Sequence, residues 1–253
     1  MAEPVYRPVI AVAKGLFRYL GLRFDISGVE NVPVIGGGVV AMNHTGYLDF
    51  ALAGFAFQPK KRLVRFMAKK EVFDHKVSGP LMRGMKHIPV DREAGAGSYQ
   101  AAVDALRSGE LVGVFPEATI SQSFELKEFK SGAARMASEA EVPLIPVVLW
   151  GSQRVWTKGR KRTKTRGTSI RIVVGEPFVP EADPTAATTE LKKRMQTLLE
   201  QARSTYQGAP LDDSDRWWLP AALGGTAPTL EQAEVADAEE RAARAAKRAA
   251  RGG

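Results

Sequence analysis

The chain has 253 residues, no cysteine and a formal net charge of +8. This length suffices for one packed α/β domain and a small appendage without disulfides or a structural metal. The absence of cysteine excludes disulfide frameworks, thiolate nucleophiles and cysteine zinc sites. No apolar run reaches the roughly 18 to 20 residues of a membrane-spanning helix, and no secretory signal is apparent. The basic excess predicts an anionic partner: membrane surface, nucleic acid or phosphorylated substrate.

The first predicted element is an amphipathic helix over Pro8–Leu22, in which Lys14 and Arg18 lie between apolar positions at helical spacing. Such a helix packs on the domain or lies in a bilayer interface with its cations toward lipid phosphates, and the two placements are compatible. We therefore expect residues 1–22 to form an N-terminal amphipathic, membrane-associating helix.

Short apolar segments then alternate with helical patterns. The predicted strands are Leu22–Ile26, Val39–Met42, Leu63–Ala68, His87–Val90, Leu111–Phe115, Leu144–Trp150 and Ile170–Val174. The predicted helices between them are Phe50–Phe57, Ser98–Arg107, Lys130–Ala140 and Thr188–Tyr206. This alternation predicts an α/β fold with a mixed, largely parallel central sheet covered by helices, whose chemistry gathers beyond the strand ends. We expect this domain to span residues 23–210.

Residues 211–253 form a predicted C-terminal extension with a charged, alanine-rich tail. Acidic residues open the stretch Glu231–Arg251 and basic residues close it, which suits a helix dipole. Because the stretch has few apolar residues, we expect a solvated helix or a disordered tail after a linker near 224–229. Trp217 and Trp218 before it are predicted to anchor at a membrane interface or to pack in the core.

Two clusters of basic residues lie at 60–70 and 158–166, and each is predicted to be a solvated surface. The chain has no basic strand with interleaved aromatic residues and no recognition-helix pattern, so we expect no nucleic-acid partner.

The pair His44 and Asp49 directly follows the apolar run Gly38–Met42. If His44 lies in the loop after that strand and Asp49 in the first helical turn, the carboxylate reaches the imidazole. It would then fix the ring tautomer and stabilise the imidazolium, as in a general base. Taken alone, this spacing is of low information and favours a structural histidine over a catalytic one. His75 and His87 have no carboxylate at such a spacing, and we interpret both as structural.

Three further blocks accompany this pair. Gly84–Arg92 places Arg92 beyond a strand, Val114–Thr119 places Glu117 and Thr119 beyond another, and Val142–Val148 is an apolar strand with two prolines. In this order and spacing, the four blocks resemble the glycerolipid acyltransferase family, which includes the 1-acylglycerol-3-phosphate acyltransferases. The resemblance covers residues 28–177 and implies a glycerol-3-phosphate acyltransferase-like fold.

By this resemblance, His44 deprotonates a glycerol hydroxyl, Asp49 orients His44 and balances its charge, and the hydroxyl attacks an acyl thioester directly. The chain agrees with direct attack, since it has neither a cysteine nor a GxSxG motif to form an acyl-enzyme.

The resemblance also implies a set of substrate-binding residues. Arg92 is similar to the family's ligand for the acceptor phosphate. Glu117, Ala118 and Thr119 match its acceptor-binding block. Asn43 joins the set by helping to orient the loop, where backbone amides are candidates for stabilising the thioester oxyanion.

The third block departs from the family pattern Phe-Pro-Glu-Gly-Thr-Arg-Ser by having Ala118 and Ile120. Alanine limits positive φ and reduces room for substrate. Isoleucine removes a cation expected near the phosphate. Either Lys127 or Lys130 replaces that cation, or the acceptor differs from lysophosphatidate. Of the two lysines, Lys130 is included in the predicted site.

The predicted function is transfer of a fatty acyl chain from acyl-CoA or acyl carrier protein to the sn-2 hydroxyl of 1-acylglycerol 3-phosphate, giving phosphatidic acid. We expect no cofactor and no metal, an anionic membrane surface and a lysophospholipid as partners, and a peripheral location at the cytoplasmic face of the cell membrane. Three alternatives stay open: another lysophospholipid or glycolipid acceptor, a lipid hydrolase that uses the same pair to activate water, and a non-catalytic basic module that binds membrane or nucleic acid.

Overall fold

The computed structural model describes residues 3–91, 95–161 and 166–249. The strands are β1 Arg23–Ser27, β2 Gly38–Met42, β3 Val64–Lys69, β4 Ile88–Val90, β5 Leu111–Val114, β6 Leu144–Trp150 and β7 Ser169–Val174. The helices are α1 Tyr6–Tyr19, α2 Asp49–Ala53, α3 Lys70–Asp74, α4 Ser78–Gly84, α5 Gly95–Arg107, α6 Gly132–Glu139, α7 Pro184–Ser204 and α8 Leu230–Ala249. All predicted strands are present. Helices α3 and α4 were missed because, at 5 and 7 residues, they are too short to show a period.

Within the described residues, seven strands form one sheet in the order β1-β7-β6-β2-β5-β3-β4. The pairs are parallel except β6–β7, which is antiparallel. Every residue of β2, β5, β6 and β7 is buried, as expected for strands covered on both faces. The predicted mixed, largely parallel α/β fold is therefore confirmed.

Helices cover both faces of the sheet because successive strand residues point to opposite sides. On one face, Val39 of β2 belongs to a core cluster with Leu106 of α5 and Leu191 of α7. On the other face, the next residue, Val40, belongs to a cluster with Phe17 of α1 and Leu52 of α2. The sheet is thus the middle of three layers, and its strand ends open between the helical layers.

The predicted N-terminal helix is present as α1 and packs on the domain. Tyr6 and Phe17 are buried, and the Tyr6 hydroxyl donates to the carbonyl oxygen of Val64 at 2.7 Å. Val12 and Leu16, by contrast, are 73% and 43% exposed. None of the helices in the described part of the chain has the length and apolarity needed to cross a bilayer.

The segment after residue 210 joins the main body through its tryptophans. Trp217 and Trp218 are 9% and 1% exposed and belong to the core cluster that contains α7, so the core-packing alternative is the correct one. The alanine-rich tail forms the helix α8, and most of its described residues are exposed. The proposed boundary at residue 210 therefore does not separate an independent core.

Part of the first basic cluster is buried and stabilises the fold instead of forming a solvated surface. Arg65 is 3% exposed and pairs with Glu3 and Glu110 at 2.6 and 3.1 Å. His87 is structural, as predicted: it is buried, and its Nδ1 accepts the backbone N–H of Phe66 at 3.0 Å. Burial, assisted by the nearby Arg65 charge, lowers the pKa of His87 to about 4.

Candidate active site

The first, third and fourth of the predicted blocks lie on neighbouring strands and meet at one edge of the sheet. Strands β2, β5 and β6 are parallel neighbours, so the loops that follow them lie side by side. His44 comes two residues after β2 and Glu117 comes three residues after β5. The backbone N–H of His44 donates to Oε1 of Glu117 at 2.8 Å, which joins the first and third blocks directly.

His44 and Asp49 form the predicted contact, with 3.0 Å between Nδ1 and Oδ2. Asp49 is the first residue of α2 and is fully buried, whereas the His44 side chain is 20% exposed. Oδ2 of Asp49 also accepts the backbone N–H groups of Thr45 and Gly46, at 2.7 and 2.8 Å. Because this oxygen accepts, Nδ1 carries the proton and Nε2 is left as the acceptor that a general base requires.

The loop that carries His44 is clamped from several sides. The hydroxyl of Thr157 donates to the carbonyl oxygen of Thr45 at 2.6 Å, and the Tyr47 N–H donates to the carbonyl oxygen of Trp156 at 3.0 Å. A Cβ on Gly46 would lie 2.9 Å from that Trp156 oxygen, so only glycine fits this approach. The histidine is therefore held by a preorganised loop.

These clamps revise the expectation that backbone amides beside Asn43 stabilise the oxyanion. The N–H groups of residues 44 to 47 donate, in turn, to Glu117, to Asp49 twice and to Trp156. An amide already donating inside the protein does not serve a developing oxyanion without losing that bond. The loop amides hold the base instead.

Glu117, predicted to bind the acceptor, links two loops. It is 5% exposed, and its second oxygen, Oε2, accepts the backbone N–H of Lys127 at 3.1 Å. Desolvation raises the pKa of Glu117 to about 8, although the N–H groups of His44 and Lys127 oppose this shift. These contacts fit a positioning residue that fixes His44 against the segment of Lys127, and direct acceptor binding stays a prediction.

Aromatic and backbone features complete the third block. The ring of Phe115 stacks on His44 with 4.0 Å between centroids and 19° between planes, which restricts the imidazole from one side. Ala118 has φ of 61°, in the left-handed region. Alanine disfavours positive φ but does not exclude it: Ala118 adopts the glycine-like conformation, at a cost of about 1 to 2 kcal/mol.

Asn43 is 1% exposed and spans two strands. Its amide nitrogen donates to the carbonyl oxygen of Leu149, and its oxygen accepts the Leu149 N–H, at 3.0 and 2.7 Å. These bonds extend the β2–β6 pairing and orient the loop that follows. A direct contact of Asn43 with substrate stays a prediction.

Of the two lysines predicted as replacements for the family's arginine, Lys127 is the one that lies at the third block, and a role of either in phosphate binding stays a prediction. Its Nζ donates to the hydroxyl of Thr119 at 2.7 Å, beside the buried Ile120. Lys130 is exposed, and its backbone N–H donates to Pro116 at 2.9 Å. Arg92, the predicted phosphate ligand, lies outside the described residues.

Two residues at this edge were missed from the sequence. Lys158, two residues after Trp156, and Asp237 of α8 form an ion pair at 2.6 Å, and Asp237 also accepts from Lys127. The basic residues around Lys158 look like a solvated loop, and Asp237 lies in a stretch with few apolar residues. Nothing in the local sequence indicates that these two charges meet.

Comparisons with known proteins show the family of the chain. The family model described as Acyltransferase matches residues 23–150. The chain is 31% identical over 181 residues to the 1-acyl-sn-glycerol-3-phosphate acyltransferase of Bacillus subtilis (strain 168), a match covering 67% of this chain and 84% of that protein. It is 32% identical over 189 residues to the probable 1-acyl-sn-glycerol-3-phosphate acyltransferase of Mycoplasma pneumoniae, covering 70% of this chain and 68% of that protein.

The fold also matches a solved structure. The crystal structure of the 1-acyl-sn-glycerophosphate (LPA) acyltransferase PlsC from Thermotoga maritima superposes with a TM-score of 0.65, covering 80% of this chain and 81% of that chain. Their sequences are 20% identical, so this likeness concerns the fold. The family match over half of the sequence and the 31% identity to the Bacillus subtilis protein show that the chain belongs to the acyltransferase family that includes the 1-acyl-sn-glycerol-3-phosphate acyltransferases.

Proposed function

We propose that this chain transfers a fatty acyl group from acyl-CoA or acyl carrier protein to the sn-2 hydroxyl of 1-acylglycerol 3-phosphate. The names of the relatives from Bacillus subtilis and Mycoplasma pneumoniae support this acceptor. The observation that carries the reaction is the 3.0 Å contact between His44 and the fully buried Asp49. The thioester supplies the activated acyl group, so the proposed reaction uses neither a cofactor nor a metal.

In the proposed mechanism, Nε2 of His44 accepts the proton of the acceptor hydroxyl as its oxygen attacks the thioester carbonyl. Asp49 stabilises the imidazolium that forms, through the bond to Nδ1. Collapse of the tetrahedral intermediate breaks the carbon–sulfur bond. The leaving thiolate then takes the proton from His44, giving an ester, a free thiol and the neutral histidine.

Ala118 and Ile120 differ from the family pattern in the block that the resemblance assigns to the acceptor. Lys127 and Thr119 support a phosphate-bearing acceptor, since a lysine and a hydroxyl meet at the third block. Arg92 is proposed as a second phosphate ligand from the resemblance alone. Other lysophospholipids and glycolipids are therefore compared with lysophosphatidate in the acceptor screen.

The reaction is tested with purified protein, acyl-CoA and a panel of lysophospholipids, with product and acyl position read by mass spectrometry. We expect phosphatidic acid acylated at sn-2, formed by the wild type and nearly absent in His44→Ala. Asp49→Asn is assayed in parallel. Its charge-matched control is Asp104→Asn, at an exposed aspartate of α5. Full transfer in His44→Ala would overturn the proposal, and release of free fatty acid without acceptor would identify a hydrolase.

The proposed partner surface is an anionic membrane that meets the protein at the edge of the site. Strand β1 runs opposite to β2, because it is parallel to β7, which is antiparallel to β6. It therefore begins where β2 ends, and the end of α1 lies at the edge that carries His44. Exposed apolar Leu16 of α1, between the exposed cations Lys14 and Arg18, suits an interface of acyl chains and phosphates.

Two aromatic residues beside the histidine loop extend this apolar rim. Tyr47 and Trp156 are 42% and 40% exposed, and their ring centroids are 4.8 Å apart. Such rings are common at the headgroup level of membranes. We therefore propose a peripheral enzyme at the cytoplasmic face of the cell membrane, where the lipid acceptor and the thioester donor meet.

Membrane binding is tested by co-sedimentation with anionic vesicles. Deleting residues 1–22 would also remove the buried Tyr6 and Phe17, so point variants are sharper. We expect Val12→Glu combined with Leu16→Glu to weaken vesicle binding. Val179→Glu, at a residue 83% exposed before α7, is the matched control. Equal binding by both variants would contradict the role given to α1.

A further inference from the structure

Helix α8 meets the domain through carboxylates. Among its described side chains, those of Ala233 and Asp237 are buried and that of Glu240 is half-buried, while the others are exposed. These three positions are four and three residues apart, so they form one line along the helix. Two of the three inward residues are acidic, which is unusual for a contact face.

Asp237 lies at a convergence of positive charge. Its Oδ1 accepts from Nζ of Lys158 at 2.6 Å, and its Oδ2 accepts from Nζ of Lys127. The Thr119 hydroxyl lies 3.4 Å from the same Oδ2 and 2.7 Å from the Lys127 nitrogen. Glu240 adds a second contact to Lys158 at 2.5 Å. Two ammonium groups and a hydroxyl therefore surround one carboxylate, as in an anion-binding site.

This anion site is built on the loops that hold the proposed base. The Lys127 backbone bonds to Glu117, whose other oxygen holds the N–H of His44. Lys158 directly follows Thr157, whose hydroxyl bonds to the carbonyl oxygen of the residue after His44. An anion held by the two lysines therefore lies in the block that the family resemblance assigns to the acceptor.

The carboxylate is charged in this setting. Burial raises the pKa of Asp237, but the hydrogen bonds from Lys127 and Lys158 outweigh it, and the net pKa is lowered. Lys158 is likewise held in its charged form: burial lowers its pKa, and the bonds to Asp237 and Glu240 raise it further than burial lowers it. The contact is therefore an ion pair at neutral pH.

Few apolar contacts hold α8 among its described side chains. Ala233, 2% exposed, is the apolar side chain that these residues bury, and one methyl group buries little apolar surface. The ion pairs to Lys127 and Lys158 supply the remaining contacts, and an anion in solution competes with the carboxylate for the two ammonium groups. The helix is thus docked chiefly by charge, and an anion that competes for the two lysines can release it.

We propose that Lys127, Lys158 and Thr119 form the binding site for the acceptor's phosphate and that Asp237 is its built-in competitor, so that α8 must lift before the acceptor binds. The proposal rests on the proposed acyltransferase function for the identity of the anion. A phosphomonoester has more charge and more acceptor oxygens than a carboxylate, so it displaces Asp237. In the closed molecules, Asp237 occupies the lysines and the acceptor cannot bind. The apparent affinity for the acceptor is therefore the intrinsic affinity multiplied by the fraction of molecules in which the site is free.

Docking of α8 is read directly with a spin label. Because the chain has no cysteine, Ala238→Cys, at an exposed position beside Asp237, gives a single labelling site. We expect a restricted line shape at low salt and a mobile one in Asp237→Asn. Titration with 1-acylglycerol 3-phosphate should mobilise the label, and inorganic phosphate should do so at higher concentration, whereas lysophosphatidylcholine, which lacks a phosphomonoester, should not.

A kinetic arm separates a competitor from a structural ion pair. Asp237→Asn should lower the KM for the acceptor at least about threefold with kcat nearly unchanged, because the closed population is lost. Glu234→Gln, an exposed charge on the same helix, should leave KM as in the wild type. A label that stays restricted in Asp237→Asn, or a KM that rises in it, would overturn the proposal. The spin label reports docking of α8 whether or not acyl transfer occurs. Failure of the proposed acyltransferase function is therefore distinguishable from failure of the proposal that Asp237 competes with the acceptor.

Discussion

Replacing Asp49 by asparagine should separate the charge of the His44–Asp49 pair from its geometry. Oδ2 of Asp49 takes part in three hydrogen bonds, whereas Oδ1 has no hydrogen-bond partner among the described residues. An asparagine keeps its oxygen at the Oδ2 position, because an amino group there would face the N–H groups of Thr45 and Gly46. Nδ1 of His44 then remains a donor, and the ring tautomer is retained while the negative charge is lost.

The expected loss follows from the change of one acceptor from charged to neutral. Hydrogen bonds to charged groups contribute about 1.5 to 3 kcal/mol against about 1 kcal/mol for neutral pairs. The Coulomb attraction at 3.0 Å sets an upper bound of about 5 kcal/mol at an effective dielectric constant of about 20. We expect Asp49→Asn to lose about 2 to 4 kcal/mol of transition-state stabilisation, or about 30- to 1000-fold in kcat/KM.

Asp49→Ala should lose more, because it leaves three donors without their acceptor and frees the imidazole. Each orphaned buried donor costs about 1 to 3 kcal/mol of stability, which thermal unfolding will show. Activity is followed with a thiol reagent that detects released CoA, and the cysteine-free chain adds no background. Equal losses in Asp49→Asn and Asp49→Ala would refute the retained tautomer. Unchanged activity in Asp49→Asn would show that the charge is not used.

Three further predictions concern the third block. Glu117→Gln places an amino group against the N–H of His44 or Lys127. The lost hydrogen bond of about 1 to 3 kcal/mol should lower kcat/KM by about 5- to 160-fold, measured in the same assay. The pKa of about 8 for Glu117 keeps a proton in the folded state that the unfolded state, at 4.5, has released. This group's contribution to stability therefore falls as pH rises from 4.5 to 8, by about 2 kcal/mol between pH 6.5 and 8. Denaturant unfolding should show this slope in the wild type, and an equal slope in Glu117→Gln would contradict it. Ala118→Gly should either raise the free energy of unfolding or lower it by less than about 1 kcal/mol. The relief of positive φ in the folded state offsets the added freedom of the unfolded chain. The control Ala101→Gly, at an exposed position in α5, should cost about 1 kcal/mol, and equal losses in both variants would argue against strain at Ala118.

The parts of this molecule that depend on local pattern were predictable from the sequence. The central strands β2, β5 and β6 carry continuous apolar runs, and the contact between His44 and Asp49 spans one strand–helix junction. Their spacing, together with the strand before and the helix after, restricts the two side chains to a few arrangements. The role of Phe115 as a partner of the His44 ring could not be anticipated, because stacking depends on the path of the loop after β5.

Contacts between distant segments could not be predicted in the same way. Glu117 and His44 are 73 residues apart, and Asp237 and Lys127 are 110 residues apart. The tail was expected to be solvated or disordered because it has few apolar residues, and hydrophobic patterning is the main sequence signal of packing. A helix that docks through charge leaves no such periodic signal.

The backbone amides of the histidine loop determine which groups are left to stabilise the transition state. Residues 44 to 47 direct all of their backbone N–H groups into the protein, toward Glu117, Asp49 and Trp156. The loop therefore uses its donors to hold His44 in position before substrate arrives, which lowers the entropic cost of proton transfer. Charge that develops on the thioester oxygen must then be met by groups beyond this loop. Losing Asp49 releases two of these four amides together with the imidazole, which is why the alanine variant should fail in both stability and rate while the asparagine variant fails in rate.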